Sequence, residues 1–490
     1  MAKKIIYPFF VILQLSVLGQ STFNFKLEYP TRKISVMAID DGAGGVIVPI
    51  IEYEGFDYGP GQYIRGYLLR IDSNGDTITH HYSFHDTTFR IQRIFRLHEG
   101  GYMIFGGSKP PRLHEEQLLI ARLDNNFNML WNKHYPNDTV SYACNVREVF
   151  RNADTLILAG ARCEYPCSHP YPYLLKVDLS GNIIQKELHL NDDLGSRMTA
   201  YMYCAQTGQI WLFMEAFVAG IDGPARCVFG PNLDLLYCEG FPTDNYPRRI
   251  KNSWTPDSTI LMAYIENRPG AEYQDDELWL TKFDTSLNAL YSTCFGSADT
   301  MDQITMAGAG AHCLHPDTIY FAGFKNATFF KPTPDMVSWI MVGQVNGQLE
   351  PRFLQYIGGD AYYETNYVIA LSDGGFLVEA GVFNHSTNVY DLLFLKLNNK
   401  GLVNRVNGEF IDIKKAYISP NPAKEFLKIE CMLKDAKASL LTLSGSHIGE
   451  YNLEQGVTTI PITELSKGMY LLAISLPDSG VIETHKFIKK

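Results

Sequence analysis

The densest group of soft metal ligands in the chain is Cys163, Cys167 and His169, spaced Cys-x-x-x-Cys-x-His. A structural zinc site takes four tetrahedral nitrogen or sulfur ligands, usually as two spaced pairs. This run supplies three, and no second pair accompanies it. Two thiols flanking Pro166 could instead stay reduced or close a short bridge, and an exported chain favours the bridge. The expected disulfide is therefore Cys163–Cys167, with free thiols and a metal as the alternatives. Asp72, Asn74 and Asp76 set out oxygens as the start of a calcium loop does, but the later ligands are missing. The corresponding positions elsewhere read Asp-Asn-Asn or Asp-Leu-Ser-Gly, so a side-chain-capped turn is the better reading. Asp275, Asp276 and Glu277 could form half of a glycosidase pair only if the fold set another acid opposite them. The chain carries no Gly-x-Ser-x-Gly elbow, no His-Glu-x-x-His and no phosphate loop ending in Gly-Lys. No cofactor and no metal are expected. The remaining candidates for chemistry are Tyr53, Phe56, Tyr58, Tyr165, His169, Tyr171, Phe329 and Phe330, side chains that could stack on a sugar ring or anchor a peptide.

What must position these residues is a repeat. The turn motif of Leu68-Leu69-Arg70-Ile71-Asp72-Ser73-Asn74-Gly75 returns with its acidic or amide residue near positions 124, 178, 232, 284, 346 and 398, at spacings of 52, 54, 54, 52, 62 and 52. A second marker runs in phase with it, as in Gly100-Gly101-Tyr102-Met103-Ile104 and Gly374-Gly375-Phe376-Leu377-Val378. Each unit is rich in β-branched and aromatic residues and broken by Gly, Asp and Asn turns. One four-stranded sheet cannot bury both faces alone, whereas seven packed radially can. The expected fold is all-β, a seven-bladed β-propeller over residues 21–412. A linear solenoid or a string of sandwiches fits the period less well. Turns joining first to second and third to fourth strands are short and would share one face. The long, unlike second-to-third loops, which carry the aromatics named above, would form the other face, and that is the expected working surface.

A ring must be closed. Phe23-Asn24-Phe25-Lys26-Leu27-Glu28-Tyr29 alternates like a fourth strand but has no sheet of its own, so it should complete the seventh blade beside residues 391–397. Before it, Lys3 and Lys4 lead into an apolar stretch over residues 5–18 that is too short to span a bilayer. This predicts a secretory signal peptide over residues 1–20. No later run is long and apolar enough for a membrane helix. Hydrophobic residues are 46% and charged residues 19%, which excludes a disordered chain. A net charge of −11 without a basic stripe argues against a nucleic-acid partner. Cys144, Cys204, Cys227, Cys294 and Cys313 fall on or near strands and read as buried small hydrophobes.

Beyond residue 412 the repeat stops at a Pro-rich boundary. Short strand patterns follow at 426–431, 438–443, 457–462, 469–476 and 484–488, which predicts a small Ig-like β-sandwich over residues 413–490. Pro420-Asn421-Pro422-Ala423 followed by Phe426-Leu427-Lys428-Ile429 resembles the opening of the sorting domain of the type IX (Por) secretion system. Leu441-Thr442-Leu443-Ser444-Gly445 is similar to its central strand and turn, with Ser where Asp is usual. Leu465-Ser466-Lys467-Gly468-Met469-Tyr470 and the terminal Lys489-Lys490 resemble its later motifs. The resemblance implies that Pro420, Asn421, Pro422, Gly445, Gly468, Tyr470, Lys489 and Lys490 belong to a sorting signal. It also implies that the type IX machinery of a Bacteroidetes-type bacterium is a partner, and that the protein passes through the periplasm and is secreted or held on the outer-membrane surface. Two functions remain open: a binding or scaffold propeller for a glycan, peptide or protein, and a secreted hydrolase or lyase working at the central channel.

Overall fold

The computed structural model describes residues 21–28, 32–53, 63–82, 87–109, 116–136, 146–152, 154–162, 171–188, 195–204, 208–218, 221–241, 247–267, 276–297, 300–328, 330–403, 416–431, 436–442, 446–454, 456–476 and 480–490. The signal segment, Phe56, Tyr58, Cys144, Cys163, Tyr165, Cys167, His169, Asp275, Phe329 and Gly445 lie outside them, and of Tyr171 and Cys204 only the backbone is described. Among the described residues every regular element is a strand, and no helix is long and apolar enough to cross a membrane.

Seven antiparallel sheets of four or five strands occupy residues 23–397. The second shows the plan: Thr88–Arg96, Tyr102–Lys109, Gln117–Leu123 and Met129–Tyr135 pair in chain order. Its second strand is buried on both faces, whereas its fourth is half exposed. That asymmetry is what radial packing requires, since middle strands are covered by neighbouring sheets and outer strands meet water. Seven apolar clusters each join two consecutive sheets around the ring.

The third-to-fourth turns are capped by their own side chains. Asp72 Oδ1 accepts from the amides of Asn74 (2.8 Å) and Asp76 (3.0 Å), so it caps a turn. Asp124, Asp284, Asn346 and Asn398 do the same two and four residues on. The fourth turn residue sits in the left-handed region. It is Gly75, Gly181 or Gly401 in three copies and Phe127, Leu233, Leu287 or Leu349 in the others. A left-handed side chain costs about 1–2 kcal/mol. These four are buried in inter-sheet clusters, which returns roughly as much.

Phe23–Leu27 closes the ring as its alternation predicted, antiparallel to Val389–Leu397, with Phe23 opposite Lys396 and Leu27 opposite Leu392. Phe23 is fully buried in the cluster shared by the last and first sheets. Beside it, the fully buried Lys396 ammonium pairs with Asp373 at 2.6 Å and donates to Ser21 Oγ at 3.0 Å and to the Gly44 carbonyl.

The innermost strands carry a feature the repeat does not announce. Their register slips in the second, third, fourth, fifth and seventh sheets, for instance between Ile91 and Arg93, Arg248 and Lys251, and Thr365 and Tyr367. In the first and sixth sheets the inner strand is split into two short pieces. Such slips bend a strand and re-aim its side chains.

Two cysteine expectations are corrected. Cys227 is not a lone buried hydrophobe but is bonded to Cys238. The Gly230–Asp234 turn folds Ile221–Phe229 onto Leu235–Gly240 and sets the two residues directly opposite. Cys294 is exposed on an outer strand rather than buried. Cys313 is free and buried, its thiol pushed up to about 12 by burial.

The last residues form two sheets of three and four strands packed around Leu427, Ile429, Leu440, Ile474 and Phe487. His447–Asn452 is an additional strand there. Ala416–Ser419, read as boundary from the sequence, pairs with Phe426–Cys431.

Candidate binding cavity

A cavity of about 670 Å³ opens where four consecutive sheets, the fifth, sixth, seventh and first, bring their inner strands together. Its walls include the sixth sheet's second-to-third loop, with Thr328, Phe330, Lys331 and Pro332, and the seventh's, with Asn388 between the strand residues Phe383 and Val389. The inner strands contribute Arg32–Ser35, Arg249, Met306 and Ala307, Glu364 and Asn366. The slips described above matter here: Arg249 lies within one, with a left-handed φ of 53°, and Asn366 within another.

The electrostatics are uneven. Arg32, Lys33, Arg249 and Lys331 give the walls four cations against one lining carboxyl, Glu364. Arg32 stacks over Tyr53, 5.2 Å from its ring centroid. Lys33 is pulled down to about 8 by burial, a shift that Glu52, 3.6 Å away, opposes. Glu364 is pushed above the usual carboxylate range by burial, against the Tyr390 hydroxyl that donates to it at 2.6 Å and the field of Arg249. Behind the lining, the fully buried Glu379 is pushed up to about 8 by burial and accepts from Asn366 Nδ2 at 3.2 Å. Tyr362 fixes the sixth sheet's loop by accepting from the Thr328 amide at 2.9 Å. The cavity therefore presents four cations on its walls against the single carboxyl of Glu364, with the Glu379 carboxyl buried behind the lining.

Of the aromatics singled out from the sequence, Phe330 stands at the rim, 79% exposed, and Tyr53 backs the lining through Arg32. The acids fare differently. Asp276 is buried and held by Arg248 and Gln303, and Glu277 is buried beside it, so neither faces a substrate. Apart from Phe330, the residues that shape the cavity were missed because they come from four different sheets and none belongs to a spaced motif.

In the terminal sandwich the motif residues hold one another. Asn421 Nδ2 donates to the Lys486 carbonyl and its Oδ1 accepts from the Ile488 amide, both at 3.0 Å. Ala423 exchanges backbone hydrogen bonds with Ile488 and Lys490. Tyr470 stacks on Phe487 with centroids 5.7 Å apart and donates to the Ser466 carbonyl. The Pro-Asn-Pro opening is thereby latched to the terminal strand.

Residues 417–490 match the family described as the secretion system C-terminal sorting domain. No curated protein matches the chain. Among solved structures it is similar to PorZ, an essential bacterial surface component of the type IX secretion system of Porphyromonas gingivalis, at 8% identity, 91% of this chain, 69% of that chain and a TM-score of 0.34. It is also similar to the Pan2 WD40 domain of Neurospora crassa (8% identity, 77% and 96% covered, TM-score 0.37). A third is the β-propeller domain of the Trilobed protease from Pyrococcus furiosus (9% identity, 77% and 100% covered, TM-score 0.41).

Proposed function

We propose, from the premise that residues 417–490 are a type IX secretion sorting domain and the chain an exported surface or secreted propeller protein, that the propeller is a binding module. Its ligand would be an extracellular glycan, peptide or protein held on the face of the second-to-third loops. The observation that carries this reading is the cavity on that face, with four cations, aromatic walls and the polar Ser35 and Asn366 at its base. A scaffold with rigid sheets and unlike loops suits recognition. The hydrolase reading rests on Glu364, whose raised carboxyl could donate a proton. Among the described residues no second carboxyl lines the cavity to work with it.

The test is the purified mature protein screened against immobilised glycans and peptides, with product analysis by mass spectrometry on every hit. Retained ligand without turnover supports the binding reading. Turnover that Glu364→Gln abolishes replaces it with the enzyme.

A further inference from the structure

We propose that the ligand of this cavity is a carboxylated saccharide, an oligosaccharide bearing uronic-acid-type sugars. The inference rests on the binding reading above and names its ligand class.

Two independent features converge on it. The first is Arg249. Its backbone is held in a left-handed conformation within an inner-strand slip, a position that a non-glycine residue seldom occupies. The guanidinium's partner is Met306 Sδ at 2.7 Å, and no carboxylate among the described residues pairs with it. Sulfur is a weak acceptor, so the planar fork retains its capacity for a bidentate carboxylate. Lys331 stands exposed at the mouth, and Arg32 and Lys33 add to the positive field.

The second feature is the base. Ser35 lines the cavity, is 2% exposed, and its Oγ completes no hydrogen bond of good geometry. Glu379 and Tyr367 lie fully buried behind it, outside the lining, and both are in contact with Ser35. Buried polar atoms are nearly always satisfied, so a lining hydroxyl without a good partner marks a place where something polar belongs. The Ser35 hydroxyl and the Asn366 amide at the base, with cations above them, match a ligand having several hydroxyls and a negative charge. Tyr390, Phe383 and the rim residue Phe330 supply faces for sugar rings. The volume lies within the roughly 300–1,000 Å³ of small-ligand sites.

The experiment titrates the full mature chain with uronic-acid oligosaccharides, the same oligosaccharides methyl-esterified, neutral glucose oligomers, sulfated oligosaccharides and polyglutamate. The carboxylated oligosaccharides should bind, esterification should abolish binding, and rising salt should weaken it. Arg249→Gln should weaken binding roughly 10- to 100-fold, the worth of a charge-assisted pair, with partial rescue by Arg249→Lys. Lys331→Gln, at an exposed position that cannot upset folding, should weaken it several-fold, and Ser35→Ala should do so without changing the salt dependence. Equal binding of neutral or esterified oligosaccharides overturns the inference and leaves the binding reading standing. So does a preference for sulfated oligosaccharides or for polyglutamate. If none of these probes binds and the wider screen also finds no ligand, both fall.

Discussion

Lys396 offers the sharpest test of how the ring is held shut. Its side chain is fully buried, and its ammonium joins Asp373, Ser21 and the Gly44 carbonyl, which belong to the last sheet, the start of the chain and the first sheet. Removing one partner of a buried pair costs about 3–5 kcal/mol, because the other charge is left uncompensated. Asp373 is 24% exposed, so water can take part of its place. Asp373→Ala should then cost roughly 2–3 kcal/mol after discounting for that screening. Lys396→Met removes the buried charge itself and leaves an aspartate able to rehydrate, so it should cost less. The readout is hydrogen exchange at the amides of Phe23–Leu27 together with the denaturation midpoint. A loss of that size raises the opened population roughly 30- to 150-fold, and the exchange gain should be concentrated at the closing strand. If Asp373→Ala is no more harmful than Lys396→Met, or exchange rises uniformly around the ring, the clasp reasoning is wrong.

Further outcomes follow from other contacts. Reducing Cys227–Cys238, or changing Cys238 to Ser, should lower stability by roughly 2–3 kcal/mol, as expected for a short closed loop; non-reduced peptide mapping should recover the linked pair, and we expect a Cys163–Cys167 peptide beside it. Asn421→Ala removes two hydrogen bonds to the terminal strand and should destabilise the tail by about 1–2 kcal/mol, seen as earlier unfolding of residues 416–490 and as reduced export. Glu379, pushed to about 8, and Asp302, pushed to about 7 by burial, hold protons more tightly in the folded than in the unfolded chain. Their contribution is therefore full below about pH 4 and shrinks as pH rises to about 8. Glu379→Gln should flatten that decline in a denaturation series between pH 5 and 8, and an unchanged slope would show that Glu379 titrates normally.

The fold could be read from the sequence because it is written many times. Turn residues such as Asp72 and Asp124 recur in phase, and local chemistry fixes them whatever the surroundings. Even the closing strand was visible, since Phe23, Phe25 and Leu27 alternate with no sheet of their own. The cavity was not visible, for a physical reason. Arg249 and Asn366 matter because an inner strand slips register beside them, and that slip comes from packing at the axis. The Cys227–Cys238 bridge lay in between: the hairpin turn at 230–234 sets the two opposite, but only once the strands on either side are paired residue by residue.

The closure also decides how the molecule carries load. The chain leaves the ring from Val389–Leu397, which lies between Phe376–Asn384 on one side and Phe23–Leu27 on the other. A pull arriving from the sorting domain is therefore shared by two ladders of hydrogen bonds, running along them rather than peeling an outermost strand one bond at a time. Remove the short first strand and that point of attachment becomes the edge of a sheet, where tension opens bonds in sequence. The segment that completes the ring is thus also what spreads tension from the C-terminal side over two ladders at once.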